Sequence, residues 1–334
     1  MRTRYACATA ALAVPLLLTG CGSADTKDDT GDAKKAPAKE TSREVTHELG
    51  STEVPADPEA VIALDEVAGL TLVSLGITPD AVYMASAQPR AQEILREEGV
   101  ELREVSVGTT PPLEQLAKAK PDLLVGTGSA GPTGTNYDKL TDLAPTIVLP
   151  IEGEWREIVT KTAAFFGEEE RGKRQIVATE AVLNDAAEAV SGERTLSLLG
   201  NSFGENDFTM PPHVPISTLI KEAGFTRPAF QQKEVDGYSV PLSAEFLPEQ
   251  DADMVIVPEG EYYDADAMRE KPTFAELTGE VLTPDADVWF GMSGFAFYAS
   301  AYDLRTLATD EGEISSADNI GDIWASFLEE TEKQ

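Results

Sequence analysis

The glycine-rich run Gly126-Thr127-Gly128-Ser129-Ala130-Gly131 is a candidate catalytic loop, because it follows a short aliphatic segment. A nucleophile elbow needs glycine two residues before the serine, and Thr127 occupies that position. The run also lacks the lysine and the following hydroxyl residue of a phosphate-binding loop. We therefore interpret it as a turn that follows a strand and lines a cleft, and we expect no enzyme activity. A secreted α/β hydrolase, which would depend on His213, is an alternative.

Metal-ligating side chains are scarce in this sequence. His47 and His213 are the only histidines, and they lie far apart in the chain. Zinc and manganese sites usually combine several histidines with carboxylates or thiolates. The sequence therefore predicts no metal site and no bound cofactor.

Two glutamates stand at equivalent places in an internal repeat. Asp122 follows Glu114 by eight positions, and Asp253 follows Glu245 by the same spacing. Each copy is typical of a short helix followed by a buried strand. The glutamate would lie in the first turn of the helix, where the helix dipole favours negative charge. Weaker echoes pair residues 71–79 with 218–228, and residues 140–149 with 274–282. Three pairs of similar segments, in the same order in both halves of the chain, predict two lobes with the same fold.

Short aliphatic runs alternate with helical patterns along the chain. The runs are residues 61–64, 81–84, 123–125, 146–149, 195–199 and 254–257. This alternation predicts an α/β fold with mainly parallel sheets, in which ligands bind beyond the carboxyl ends of the strands.

Residues 155–190 are helical in pattern apart from Gly167 and Gly172. Gly167 is expected to end one helix, and Glu168-Glu169-Glu170 place three acids in the first turn of the next. A helix over 168–190 would have about 23 residues and a length of roughly 34 Å. The sequence thus predicts an N-terminal lobe over 45–154, a helical connector over 155–190 and a C-terminal lobe over 191–334. A single rigid connector predicts small motions when a ligand is captured.

The first 44 residues have the layout of a secreted, lipid-anchored protein. Arg2 and Arg4 precede an apolar run that leads to Leu18-Thr19-Gly20-Cys21, so residues 1–20 are expected to be a lipoprotein signal peptide. Cys21 would carry the lipid at the outer face of the cell membrane. Residues 21–44 are small and polar and are expected to form a disordered tether. Cys7, the only other cysteine, lies in the removed segment, so no disulfide is expected.

The charge balance is strongly acidic, with 26 basic and 59 acidic residues. Nucleic acid is therefore excluded as an expected partner, because its phosphates would be repelled.

With the lipidation motif, the paired glutamates and the connector, the chain resembles the iron-siderophore-binding lipoproteins of ABC importers. The segments 54–66 and Lys120-Pro121-Asp122-Leu123-Leu124-Val125 carry the resemblance, as does Trp155-Arg156-Glu157. It implies two α/β lobes joined by one backbone helix, the class III periplasmic-binding-protein fold. It further implies a monomer that captures a ferric siderophore between its lobes and delivers it to an ABC permease with its ATPase subunit. The iron would arrive already coordinated by its chelator.

The resemblance also implies roles for particular residues. Glu114 and Glu245 match the glutamates that dock on arginines of the permease, and tryptophans near the cleft match Trp155 and Trp289. Aromatic and hydrogen-bonding side chains suit a chelate with a largely apolar outer surface. The expected ligand-binding residues are Tyr83, Arg90, Trp155, Arg156, Tyr238, Trp289, Phe295 and Tyr298, with Gln88, Phe203, Tyr262 and Tyr263 as further candidates.

The chain departs from the hydroxamate-binding relatives at Thr109-Thr110, where they often carry arginine. Arg90, Arg156 or Arg227 could substitute for that arginine. The missing cation favours a neutral or cationic ferric hydroxamate over a catecholate or citrate chelate. Haem, with a tyrosine or His213 as axial ligand, and a corrinoid are alternatives on the same fold. An adhesive lipoprotein is a further alternative, although it would not explain the duplicated lobes.

Overall fold

The computed structural model describes residues 42–332. The first lobe contains the elements β1 (Ser42–His47), β2 (Gly50–Pro55), β3 (Val61–Ala63), α1 (Glu66–Ser74), β4 (Ala81–Met84), α2 (Pro89–Glu97), β5 (Leu102–Glu104), α3 (Leu113–Ala119), β6 (Leu123–Thr127), α4 (Pro132–Thr135), α5 (Tyr137–Thr141) and β7 (Thr146–Leu149). Its five-stranded sheet has the order β5-β4-β3-β6-β7, and all its strands are parallel.

The second lobe follows two connecting helices, α6 (Trp155–Phe166) and α7 (Glu169–Ala189). It contains β8 (Leu196–Ser202), β9 (Asn206–Thr209), α8 (Pro215–Glu222), β10 (Val240–Pro241), β11 (Met254–Ile256), α9 (Ala265–Arg269), β12 (Glu280–Leu282), α10 (Ala286–Trp289), α11 (Gly294–Thr309) and α12 (Ile320–Glu332), with 3₁₀ helices at Ala229–Gln232, Ala244–Gln250 and Pro272–Glu276.

The sheet of the second lobe repeats the order of the first, as β10-β9-β8-β11-β12. Strands β8, β11 and β12 are parallel, whereas β9 returns antiparallel to β8 as a hairpin and β10 continues it. The expected two-lobed α/β architecture is therefore confirmed, with a mixed sheet in the second lobe.

The repeated aspartates have one structural role in both lobes. The carboxylate of Asp122 accepts hydrogen bonds from the backbone N–H groups of Glu59 (2.8 Å) and Ala60 (3.0 Å), just before β3. The carboxylate of Asp253 accepts them from the N–H (2.8 Å) and hydroxyl (2.9 Å) of Thr195, just before β8. Each aspartate thus fixes the start of the central strand of its sheet against the neighbouring strand.

The N-terminal hairpin corrects one boundary. Residues 42–44 were expected to belong to the tether, but they form the start of β1, which pairs antiparallel with β2. Arg43 also donates from Nε to the backbone oxygen of Phe165, 3.0 Å away, and so ties the hairpin to the end of α6. The predicted signal peptide, Cys21 and the rest of the tether lie outside the described residues.

The connector packs closely because Gly172 lies where α7 meets α6. A Cβ atom at Gly172 would be 2.5 Å from Cβ of Ala163 on α6 and 3.5 Å from the backbone oxygen of Val159. Glycine weakens a helix by about 1 kcal/mol relative to alanine. The close approach explains why this helix tolerates that cost, and it holds the two connecting helices as one unit.

Gln175, one turn further along α7, touches both lobes. Its side chain is buried, and Nε2 donates to the backbone oxygen (3.1 Å) and hydroxyl oxygen (3.2 Å) of Ser74 at the end of α1. Gly294, the first residue of α11, lies so close that an added Cβ would be 2.2 Å from Oε1 of Gln175. The connector therefore contacts an element of each lobe at the same point.

Replacing Gly172 with alanine should destabilise the protein despite the better helix propensity of alanine. The added methyl group must push α6 and α7 apart, and overpacking of this kind lowers the free energy of unfolding by about 1–3 kcal/mol. Chemical denaturation measures the change. The control is Gly321→Ala on α12, where an added Cβ would lie 3.2 Å from Oε2 of Glu97, the end of a flexible side chain. A Gly172→Ala protein as stable as the wild type would contradict the close packing of the connector.

Candidate functional site

The two lobes meet where Arg90 contacts the segment that follows β12. Nε of Arg90 lies 2.6 Å from Oδ2 of Asp285, and the backbone N–H of Arg90 donates to Oδ2 of Asp287 at 3.2 Å. Arg90 also forms an ion pair of 2.9 Å with Glu93 in its own helix. Since Arg90 follows β4 and the two aspartates follow β12, the carboxyl ends of both sheets converge at this junction.

Asp287 is an unusual carboxyl group in this junction. Burial, and then the neighbouring charge of Asp285, raises the pKa of Asp287 to about 7, although Arg90 acts in the opposite direction. A carboxyl group with this pKa is partly protonated at neutral pH. The junction therefore combines the ion pair of Arg90 and Asp285 with a buried carboxyl group whose surroundings favour its neutral form.

Glu66 organises the first-lobe side of the junction. Its carboxylate accepts hydrogen bonds from the backbone N–H groups of Ser86 (2.7 Å) and Gln88 (3.3 Å), and from Nε2 of Gln92 (2.8 Å). The side chain is fully buried. Gln88, a further candidate for ligand contact, is thereby held in the loop between β4 and α2.

Asp65 joins the ends of two strands beneath this loop. Its carboxylate caps α1 by accepting from the N–H of Ala68 (2.8 Å), and it accepts from both the N–H (2.8 Å) and the hydroxyl (2.7 Å) of Thr127. Burial raises the pKa of Asp65, and these hydrogen bonds oppose the shift. The glycine-rich run that begins at Gly126 is thus anchored to β3.

The first lobe carries a cavity of about 620 Å³ near the carboxyl ends of β5 and β6. A hydrogen bond of 2.8 Å from the hydroxyl of Thr110 to the backbone oxygen of Pro132 joins its two walls, and Nδ2 of Asn136 donates to the same hydroxyl at 2.8 Å. None of the residues that line the cavity is charged. They are Gly108, Thr109, Thr110, Pro111, Pro112, Leu113, Ala130, Gly131, Pro132, Thr135 and Asn136.

The second lobe carries a cavity of about 730 Å³ beside the hairpin of β8 and β9. Its aromatic lining includes Phe203, Phe208, Tyr238 and Tyr263. Burial raises the pKa of both tyrosines, so their phenols stay neutral and can donate hydrogen bonds. The charged residues that line this cavity are acidic.

Those acidic residues are Glu205 and Asp207. The carboxylate of Asp207 accepts from Nδ2 of Asn201 at 2.7 Å and lies 3.3 Å from Nζ of Lys271. Glu205 is exposed on the hairpin. No arginine lines either cavity among the described residues, so the walls offer no strong anchor for an anionic ligand.

Tyr238 also lines a smaller cavity of about 190 Å³ together with Glu152, Gly153 and His213. Glu152 and Gly153 follow β7 of the first lobe, whereas His213 and Tyr238 belong to the second. Tyr238 therefore lies beside residues of both lobes, and its contact with a ligand stays a prediction.

Arg156 is engaged by three glutamates. Its guanidinium binds both carboxylate oxygens of Glu222 at 2.9 Å and contacts Glu180 (2.7 Å) and Glu154 (3.0 Å). The hydrogen bonds to Glu222 are the largest cause of the raised pKa of Arg156. Arg156 is thus a structural cation between the connector and α8.

Arg227 is buried rather than available to a ligand. Its guanidinium donates to the hydroxyl of Ser217 (2.6 Å), to Oε1 of Gln231 (2.7 Å) and to the backbone oxygen of Met210 (3.0 Å). Burial lowers the pKa of Arg227 to about 10. Arg227 is thus enclosed by the second lobe, whereas Arg90 and Arg156 are partly exposed and ion-paired with carboxylates, and their contact with a ligand stays a prediction.

Five of the aromatic residues expected at the ligand site are packed in the cores of the lobes. Trp289 illustrates the reason, because its indole Nε1 donates to the buried carboxylate of Asp303 at 2.8 Å. Side chains so enclosed present no surface on which a ligand could lie in this conformation, which corrects the expectation drawn from the sequence. The five, each at most 4% exposed, are Tyr83, Trp155, Trp289, Phe295 and Tyr298.

Sequence reasoning missed Glu66, Asp285 and Asp287 as members of the junction. All three lie three to five residues after a strand, at the carboxyl edge where ligands gather in such sheets. That position in the chain is the signal that could have found them. The search for aromatic residues overlooked it.

The two glutamates expected to dock on a permease are exposed at equivalent places. Glu114 lies in the first turn of α3 and pairs with Lys118 at 2.9 Å, and Glu245 lies in the 3₁₀ helix before β11. Each precedes the strand whose aspartate fixes its sheet. Cys21, the expected lipidation site, is outside the described residues.

Within residues 42–332, no group of three or more histidine, cysteine and acidic side chains is arranged to hold a metal ion. No helix in the same part of the chain has the length and apolar character needed to cross a membrane.

Comparison with known proteins places this geometry in a family. A curated relative, "Probable siderophore-binding lipoprotein YfiY" of Bacillus subtilis, is 24% identical over 269 residues, which cover 78% of this chain and 79% of the relative. The petrobactin-binding protein YclQ of Bacillus subtilis superposes with a TM-score of 0.64 at 19% identity, covering 82% of this chain and all of that one. Staphylococcus aureus SirA complexed with staphyloferrin B gives a TM-score of 0.61 at 20% identity, covering 80% and 96%. Residues 61–279 match the family model for periplasmic binding proteins, and the chain belongs to that family.

Proposed function

We propose that the protein captures a ferric siderophore between its lobes and delivers it to an ABC permease, and that it is not an enzyme. The observation that carries the proposal is the pair of large cavities, one in each lobe, at the edges where the strands end. Their volumes suit a preformed chelate better than a bare ion, which would need converging side-chain ligands. The siderophore-binding relative supports the same ligand class.

The charges around the cleft favour a neutral or cationic ferric hydroxamate. The first-lobe cavity has no charged lining residue, and the second-lobe cavity is bordered by Glu205 and Asp207. Burying an anionic catecholate or citrate chelate against carboxylates without a guanidinium partner would be costly. In this proposal iron enters as part of the ligand, and the protein holds no cofactor of its own.

Ferrioxamine B, a ferric trihydroxamate that carries an ammonium group, should raise the unfolding temperature of the protein. At a ligand concentration a hundred times the Kd, mass action adds about 2.7 kcal/mol to the free energy of unfolding. Differential scanning fluorimetry and isothermal calorimetry measure the effect on the chain without its first 20 residues.

A ferric triscatecholate and ferric citrate serve as the comparison ligands in the same assay. Tighter binding of either would contradict the hydroxamate class while leaving siderophore capture intact. If no ferric chelate bound, and haemin or a corrinoid did, the proposed ligand class would be wrong.

The delivery step is proposed to use Glu114 and Glu245 as paired docking points. Each is an exposed carboxylate near the start of a helix, and a carboxylate can form a bidentate, orientation-fixing pair with arginine. One such group on each lobe would define the axis along which the protein meets its permease.

Reversing both charges with Glu114→Lys and Glu245→Lys should lower uptake of isotope-labelled ferrioxamine by about tenfold or more, because repulsion replaces two charge-assisted pairs. Uptake is measured in cells that carry the variant in place of the wild-type chain. Binding of ferrioxamine B by the purified variant should be unchanged. Glu59→Lys and Glu280→Lys, which reverse exposed acids near the starts of β3 and β12, form the control pair. Equal uptake by the docking variant and the control would refute the docking role.

The location is proposed to depend on Cys21, since the relative named a lipoprotein matches over most of the chain. Cys21→Ser removes the thiol to which the lipid would be attached, so the protein should move from the membrane fraction to the medium. Cys7→Ser is the matched control, because it removes the other cysteine without touching the motif 18–21. Membrane retention of the Cys21→Ser protein would show that the anchor is elsewhere.

A further inference from the structure

Phe203 is the most exposed of the large apolar side chains in the described part of the chain. It is 69% exposed, whereas the others, Val107, Val177 and Phe246, range from 38% to 43%. Phe246 stacks on Phe230 with ring centroids 5.8 Å apart, and that contact covers part of its surface. Phe203 therefore stands out as an aromatic ring that the fold leaves facing water.

The backbone of Phe203 is in a conformation that its side chain disfavours. Its φ is +55°, in the left-handed region that glycine and asparagine enter far more readily than an aromatic residue. The next residue, Gly204, also has a positive φ of +73°. A glycine at position 203 would form the same turn without strain, so the turn itself does not explain the phenylalanine.

Several contacts hold the strained residue in place. The N–H of Phe203 donates to the backbone oxygen of Tyr262 at 3.0 Å, and the two rings meet edge to face with centroids 5.5 Å apart. Next to them, the N–H of Asp264 donates to the backbone oxygen of Asn201 at 3.0 Å. The hairpin tip is thus fastened to the segment 262–264, and the ring of Phe203 has a fixed place.

That place is the rim of the second-lobe cavity, whose Tyr238 also lines the small cavity shared with Glu152 and Gly153 of the first lobe. Phe203 lines the cavity together with Tyr238 and Tyr263. Burial, followed by the negative charges of Glu66 and Glu261, raises the pKa of Tyr262.

We propose that Phe203, backed by Tyr262, is the residue with which the second lobe packs on the carbon surface of the bound chelate. This inference rests on the proposed capture of a ferric siderophore. An exposed aromatic ring gains most when a ligand's apolar arms remove it from water, and its face also attracts a cation. Glu205 and Asp207 line the same cavity and add their negative charge. The ligand selected by this rim is therefore a neutral or cationic chelate with exposed methylene groups.

The test uses Phe203→Gly, because this substitution should lower the affinity for ferrioxamine B without lowering the stability of the protein. Glycine adopts a φ of +55° freely, so the unfolding temperature should stay the same or rise. The affinity for ferrioxamine B, measured by isothermal calorimetry, should fall about tenfold or more, because the apolar surface that the chelate would cover is lost. Phe203→Trp keeps a ring at the rim and should bind within a few fold of the wild type.

Two further variants keep the outcome clear. Asparagine also tolerates a positive φ, so the Phe203→Asn variant should lose affinity for ferrioxamine B as the glycine variant does. Phe246→Ala removes an exposed ring from the same lobe away from the cavity and should bind as the wild type does. If the glycine and asparagine variants bound ferrioxamine B as tightly as the wild type, the role of Phe203 would be refuted and siderophore capture would stand. If the wild type bound no ferric chelate, capture itself would be refuted, and the inference with it.

Discussion

The buried amide of Gln175 is the contact on which the geometry of the cleft depends. It joins the connecting helix α7 to Ser74 at the end of α1, and it lies against Gly294 at the start of α11. An unsatisfied buried amide is costly, so a large displacement of α7 from α1 would carry a penalty of about 1–3 kcal/mol. One side chain thus links the connector to both lobes.

Three arginine side chains form contacts within the protein that stabilise its fold. Arg90 bridges the lobes, Arg156 holds three glutamates and Arg227 is buried among neutral acceptors. The arginines that the sequence offered to a ligand are therefore used by the fold. The two cavities are lined instead by aromatic rings, hydroxyl groups and carboxylates.

The sequence predicted the framework in detail but could not separate aromatic residues of the cleft from those of the core, and each outcome has a physical reason. Buried parallel strands need short aliphatic runs, so the pattern at 146–149 coincides with β7, and the repeated Asp122 and Asp253 marked equivalent strands. Aromatic residues carry no such signal, because a ring in the core and a ring at a cleft have the same composition. Trp289 finds its hydrogen-bond partner inside the lobe, in Asp303, whereas Phe203 is exposed by a tight turn that the sequence pattern did not predict.

The rigidity of the connector gives the strain at Phe203 a physical purpose. If the lobes move little on capture, as the single connector predicts, the binding surface must exist before the ligand arrives. Preorganisation lowers the entropy lost on binding, and here the backbone of Phe203 is held in place beforehand. The edge-to-face contact with Tyr262 and the hydrogen bond from the N–H of Phe203 supply that fixed placement. A strained backbone held by neighbouring contacts is thus consistent with a cleft that meets its ligand already formed.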